Sequence, residues 1–263
     1  MRIARYTSPA GAVSFGVIEG EPDAPYRGRT IARIDSLFGP IRFTGERYAL
    51  PDVRLLAPVV PTKVIGIGRN YAEHVSEMGG GDAPPAPLIF LKPSSAIIGP
   101  QDVIRLPVDS RQVEYEGELA VIVGGITLVR DVPRERAMDI VLGYTAANDV
   151  TARDQQRADG QWARAKGHDS FCPLGPWIET ALDPADLAIR TELDGEVRQD
   201  SRTSLLIHDV PTLISYVSHA MTLVPGDVIL TGTPAGVGPM VDGQTVSVSV
   251  EGIGTLTNPV RSR

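Results

Sequence analysis

The stretch Val113–Val123, reading VEYEGELAVIV, constrains this chain more than any other. Leu119 to Val123 are apolar and rich in β-branched side chains, the pattern of a strand covered on both faces. Alternation along a strand starting at Val113 puts Glu114, Glu116 and Glu118 on one face, with Ala120 and Ile122 continuing it. Neighbours on one face are about 6.5–7 Å apart. Three carboxylates at that spacing repel one another unless a cation sits among them or water surrounds them. Alternating glutamates usually mark a solvated strand face. A face that turns from acidic to apolar within one step instead points to the lining of a cleft.

The remaining chain must supply the strands that cover this one. At 263 residues, 42% hydrophobic and 22% charged, it is long enough for one large domain, or for a small domain and a larger one. Glycine (27) and proline (22) are frequent and aromatics are 5%, which favours short strands joined by turns over long helices. The expected class is α+β, mainly β. The net charge of −7 argues against nucleic acid or an anionic membrane as partner. The opening MRIARYTSPAG has no apolar core of signal-peptide length, and no apolar run approaches the ~20 residues of a membrane span. A single cysteine, Cys172, excludes an internal disulfide, and the expected location is cytoplasmic. Flanked by Phe171 and Pro173, Cys172 is expected to be buried and inert.

Along the chain, residues 1–57 form a strand-rich N-terminal unit, joined by the proline-bearing LPDVRLLAPVVPTK to a catalytic unit over 58–263. VIGIG reads as a buried strand, and NYAEHVSEM as a short helix stopped by GGGD. PRERAMDIVLG reads as a second helix, with Pro133 in its first turn and Gly143 past its end. YTAAND is a strand and VTARDQQRADG a helical turn or two. Asp194-Gly195 signals a hairpin, HDVPTLISYVSHAM a third helix capped by Asp209, and QTVSVSVEGIGTLTNPV a closing hairpin.

Three further places hold polar residues that folding alone hardly requires. Asp149 ends an apolar strand, where capping is the ordinary role; beside the glutamates it becomes a possible third oxygen ligand. Carboxylates with no cysteine or histidine cluster suit a hard ion such as Mg²⁺ rather than zinc. His74 and Glu77, three apart on a helix, can touch. Such a pair is often a surface ion pair, but a carboxylate beside an imidazole also orients the ring and raises its basicity, as a general base requires. Lone lysines normally face solvent; Lys166, however, precedes the proline-rich apolar segment Phe171–Ile178.

Taken together, GIGRNYAEHVSEMG, PLIFLKPSSAIIGP, EYEGELAVIVG, GYTAANDVTARDQQ, AKGHDSFCPLGPWI and VPGDVILTGTPAGVG, in this order, resemble the fumarylacetoacetate hydrolase family over about residues 62–260. The resemblance implies a mixed β-sheet roll with short helices, plus a small N-terminal domain, commonly as a homodimer. It implies Glu116, Glu118 and Asp149 as ligands of Mg²⁺ or Mn²⁺, and His74, Glu77 and Lys166 as catalytic groups. It further implies Arg69, Arg153, Gln156 and Thr233 as substrate contacts, with Glu114 behind the ligands. The substrate implied is a small anionic 2-oxo or 2-hydroxydienoate acid handled through a metal-stabilised enolate. Isomerisation or decarboxylation, of the 2-hydroxyhepta-2,4-diene-1,7-dioate isomerase and oxaloacetate decarboxylase kind, leads; acylpyruvate hydrolysis is second. A catalytically silent metal-binding protein would be expected to lack the dyad or the lysine, and both are here. GIGRNY begins like a phosphate-binding loop but has Tyr71 where the third glycine belongs, and no G-x-S-x-G elbow occurs. His168, His208 and His219 are read as ordinary structural residues.

Overall fold

A computed structural model describes residues 1–20 and 26–263. Its centre is a mixed sheet built around the Gly117–Val123 strand. That strand pairs antiparallel with Val141–Asn148 on one side and with Val228–Leu230 on the other. Val228–Leu230 in turn lies parallel to Val64–Gly68, which pairs antiparallel with the edge strand Leu88–Lys92. On the far side, Val141–Asn148 pairs with Cys172–Glu179. There the N-terminal unit joins the same sheet: Arg2–Thr7 pairs with Cys172–Glu179, Ile3 opposite Ile178. The strands Val13–Glu19, Thr30–Ile34 and Phe43–Ala49 follow as an antiparallel meander.

The alternation in VEYEGELAVIV is realised in two cores. Leu119, Val121 and Val123 pack into one, shared with Leu213, Ile214 and Val217 of the Val210–Ala220 helix. Ala120 and Ile122 pack into the other. A second, five-stranded sheet covers the first core through Val248 and Val250. It holds the hairpin Ala188–Leu193 and Glu196–Arg202, whose turn residues Asp194 (φ 53°) and Gly195 (φ 82°) both take the left-handed backbone that the Asp-Gly pair favours. It also holds the closing hairpin, Thr245–Val250 with Gly254–Ser262. The Val210–Ala220 helix is capped where expected, Thr212 N–H donating to the Asp209 carboxylate at 3.0 Å. Among the described residues no helix is long and apolar enough to cross a membrane.

Two expectations need correction. Residues 113–123 are not one strand: Val113–Tyr115 belongs to a small three-stranded sheet, Gly117–Val123 to the large one, and Glu116 lies at the break. Glutamates on either side of a break are not bound to one face. The 133–143 segment is not an α-helix. Arg134–Ile140 winds as a 3-10 helix with only Ala137 buried, too narrow an apolar stripe to hold an α-helix, and Val141–Asn148 is already strand. Gly143 does not stop a helix. It lets the Cys172–Glu179 strand approach: a Cβ there would lie 2.5 Å from the Glu179 carbonyl oxygen.

Candidate active site

The break at Glu116 is pinned by its backbone. Glu116 N–H donates to Asn148 Oδ1 at 2.9 Å, and Asp149 N–H donates to the Glu116 carbonyl at 2.8 Å. Asp149 stands just past the Val141–Asn148 strand that flanks Gly117–Val123, so the two strand ends deliver their acids to one place. Ligand oxygens of Glu116, Glu118 and Asp149 lie within 4.8 Å of one another, and all three residues are buried.

Buried cations meet most of this charge. Lys166, on the short Ala163–Gly167 helix, places Nζ 2.7 Å from Glu116 and 2.6 Å from Asp149. Lys92 Nζ donates to the other Asp149 oxygen at 2.5 Å and to the Val150 carbonyl at 3.1 Å. Arg153 spans two acids, with Nε 2.7 Å from Glu114 and Nη2 2.5 Å from Glu116. Its Nη1 donates to Gln156 at 2.7 Å. Glu118 is the exception: among the described residues no cation pairs with it, and its one hydrogen bond comes from Gly232 N–H at 2.7 Å.

The titration behaviour follows these contacts. Burial alone would raise Glu116, but Lys166 and Arg153 outweigh it and hold its carboxyl well below the usual range. Burial, reinforced by Asp149 and Glu116, pushes Glu118 well up. Burial works against a charged Lys166, yet Asp149 and Glu116 raise it above its ordinary value, so it is a cation at neutral pH.

These groups open on a cavity of about 190 Å³. Glu116, Glu118, Asp149, Lys166, Arg153, Gln156, Arg69, His74 and Thr233 all line it, so every expected site residue but one reaches a common space. The exception, Glu77, stands behind His74: Oε2 is 3.1 Å from His74 Nδ1, and Oε1 accepts from Gly236 N–H at 3.0 Å. Glu114 also stays outside the cavity, bonded to Arg153 and to Gln112 Nε2. Arg69 sits at φ 58°, a costly backbone for a side chain with a Cβ. Asn70 secures that turn, donating to the Thr231 and His208 carbonyls and accepting from His208 N–H. Phe90, Trp162 and Met78 supply the apolar wall.

The sequence gives little sign of Lys92 as a site residue. Lys92 was visible only as a lysine closing the apolar strand LIFLK, where a surface position is the ordinary reading.

The donor set suits a hard divalent cation. Three buried carboxylates converge, and one of them, Glu118, forms no ion pair among the described residues. Mg²⁺ or Mn²⁺ would be held by Glu116, Glu118 and Asp149.

Comparison with known proteins gives the following. The family model "Fumarylacetoacetate (FAA) hydrolase C-terminal" matches residues 63–261, and "Rv2993c-like, N-terminal" matches residues 1–58. Protein Rv2993c of Mycobacterium tuberculosis is 56% identical over 264 residues, covering 99% of this chain and 98% of that protein. The crystal structure of 5-carboxymethyl-2-hydroxymuconate delta-isomerase from Mycobacterium smegmatis superposes with a TM-score of 0.91 at 57% identity, covering 100% of both chains. That of 2-hydroxyhepta-2,4-diene-1,7-dioate isomerase from Mycobacterium marinum gives 0.92 at 53% identity, covering 100% of this chain and 99% of the other. Maleylpyruvate hydrolase from Sphingobium sp. SYK-6, solved with manganese(II) and pyruvate, gives 0.79 at 33% identity over 100% of this chain and 99% of that one.

Proposed function

Because the chain belongs to the fumarylacetoacetate hydrolase family, matched over residues 63–261, we propose that it is a divalent-metal-dependent enzyme acting on small 2-oxo or 2-hydroxydienoate dicarboxylic acids through an enolate. The reading favoured is a 2-hydroxyhepta-2,4-diene-1,7-dioate isomerase/decarboxylase; it is supported by whole-length resemblance to the Mycobacterium marinum structure that is named a 2-hydroxyhepta-2,4-diene-1,7-dioate isomerase. One observation carries it: three buried carboxylates, a buried ammonium and an imidazole converge on one cavity.

Bound Mg²⁺ or Mn²⁺ would supply Lewis-acid stabilisation of negative charge on the 2-oxo oxygen. The chain's own groups do the rest. Lys166, kept protonated by Glu116 and Asp149, offers positive charge where an enolate oxygen would form. Arg69 offers the cavity a guanidinium group, a chemistry suited to carboxylates, while Arg153, with all three nitrogens bonded to Glu114, Glu116 and Gln156, holds those side chains in place. Phe90, Trp162 and Met78 reduce the water around that charge and so strengthen each electrostatic contact. His74, oriented through Nδ1 by Glu77, has its other ring nitrogen left to take or return a proton.

The same dyad favours a second reading. Cleavage of an acylpyruvate needs a water activated by a base, and His74 with Glu77 is the pair for it. The manganese-and-pyruvate structure of maleylpyruvate hydrolase supports keeping this alternative. The deciding experiment is a panel assay with Mg²⁺ or Mn²⁺ on oxaloacetate, acylpyruvates and 2-hydroxyhepta-2,4-diene-1,7-dioate, with products identified by NMR. Turnover of the dienoate or of oxaloacetate without hydrolysis supports the first reading, and release of pyruvate from acylpyruvates the second. Equal turnover after chelation of all divalent ions would overturn both.

A further inference from the structure

Glu196–Arg202, the outer strand of the second sheet, has the wrong side chain inside. Val197 is 50% exposed, whereas Gln199 is 1% exposed and is the one buried residue of that strand. Burying an amide costs free energy unless each of its groups is bonded, and a folding-only strand would bury the valine. The partners of the Gln199 side chain explain the inversion. Oε1 accepts from Gly117 N–H at 2.9 Å. Nε2 donates to Thr233 Oγ1 at 2.8 Å and to the Pro234 carbonyl at 2.8 Å. These partners also fix which end of the amide is which.

Gly117 is the residue between Glu116 and Glu118, and Thr233 lines the same cavity as these two. We propose that Gln199 is a positioning residue of the active site: it clamps the acid-bearing Glu116–Gly117–Glu118 segment to the Thr233–Pro234 loop and aims the Thr233 hydroxyl. Gly117 makes room for it. A Cβ on Gly117 would sit 2.0 Å from Thr191 Oγ1 and 3.2 Å from Gln199 Oε1, so the hairpin reaches this depth only against a glycine. The aim follows from proton counting. Thr233 Oγ1 accepts from Gln199 and donates its own proton to the Gly117 carbonyl at 3.0 Å. What remains for the cavity is a lone pair, matched to an O–H of a substrate such as an enol, rather than to a bare carboxylate oxygen. The second sheet, remote from the cavity in the chain, thereby becomes its back plate.

This inference rests on the reading of Glu116, Glu118 and Thr233 given above, and its test separates the two. The test is a double-mutant cycle between Gln199→Leu and Thr233→Val in the full chain. It is read by turnover of oxaloacetate and acetylpyruvate with Mn²⁺, and by calorimetric titration with Mn²⁺ alone. Gln199→Leu is expected to lower kcat about 10- to 100-fold, with KM little changed, and to weaken Mn²⁺ binding. Thr233→Val is expected to slow turnover while leaving Mn²⁺ binding intact. The double variant is expected to be no slower than Gln199→Leu, because an unaimed hydroxyl has little left to lose. A folded Gln199→Leu protein that binds Mn²⁺ and turns over like the wild type overturns the inference; so does a double variant whose losses multiply. Should Gln199→Leu not fold, Gln199→Glu keeps an acceptor for Gly117 and withdraws the donor to Thr233. It should then slow turnover in the wild-type background and add nothing in Thr233→Val; an undiminished rate would overturn the inference. If the wild type turns over neither substrate, the reading of the reaction fails, and the Mn²⁺ titration still decides on Gln199.

Discussion

Asp149 and Glu118 carry the same charge in the same cluster, yet they are held in opposite ways. Asp149 has an ammonium on each oxygen, from Lys92 and Lys166, all three side chains being buried. Removing its charge leaves two buried cations short of a partner, which costs about 3–5 kcal/mol where a buried pair is broken. Glu118 has only a backbone donor. Asp149→Asn should therefore lower the stability of the metal-free protein substantially, while Glu118→Gln should raise it at neutral pH, since burial and the neighbouring acids disfavour the Glu118 charge in the folded state. Both should abolish Mn²⁺ binding. Chemical denaturation and Mn²⁺ titration of the two variants check this, and equal stability losses would contradict it. A second outcome concerns Cys172. Burial pushes its thiol up to about 12 from an ordinary 9.0. The native state then keeps a proton that the unfolded chain gives up, so this contribution is intact below pH 9 and declines as pH rises from there through about 12. Cys172→Ala should flatten part of the alkaline fall in stability, and the native wild type should resist alkylation at pH 8. At this scale the sequence was informative wherever polar residues came in spaced sets, as with the glutamates or His74 and Glu77. Lys92 and Gln199 are single polar residues in strands, and only the fold reveals what they face.

The helix Ala72–Glu77 is six residues long and is followed by Gly79, Gly80 and Gly81, all at positive φ. So short a helix has little stability of its own. It is held by its contacts: Val75 is buried, and Glu77 joins the imidazole of His74 to the Gly236 backbone. His74→Ala should abolish acylpyruvate hydrolysis, which needs the base, and spare oxaloacetate decarboxylation, which needs only the electron sink. Equal loss in both assays would show that His74 has another role. Glu77→Gln should give an intermediate loss, because an amide still reaches His74 but no longer as an anion. The spacing that made this helix legible is local. The break at Glu116 was not legible, because acidic alternation runs through it undisturbed and only the pairing of Val113–Tyr115 with Thr151–Ala152 reveals it. Residues 133–143 misled for a related reason: Pro133 and Gly143 have the punctuation of a helix, but Gly143 is a site of close strand packing.

Across the whole molecule, the N-terminal meander and the catalytic strands share one sheet through Arg2–Thr7 and Cys172–Glu179. Ile3 and Val17 sit in the same core as Ala120, Ile122 and Ile178. Deleting residues 1–57 would bare the Cys172–Glu179 edge and part of that core, and exposed apolar edges invite aggregation. The truncated protein should be recovered mainly as aggregate, measured by size-exclusion chromatography, even though every residue lining the cavity is retained. A soluble, monodisperse truncation with wild-type turnover would contradict this. The class of fold was legible in the many turns and short strands, but the joining of the two units in one sheet was not, since pairing partners far apart in the chain leave no local pattern. That long-range pairing has a consequence for biogenesis. The Val228–Leu230 strand lies between Gly117–Val123 and Val64–Gly68, although most of the chain separates it from the latter. A nascent polypeptide leaving the ribosome would thus hold its acids beside an unfilled place in the sheet until residues 228–230 emerged, and pairing this non-local favours slow folding.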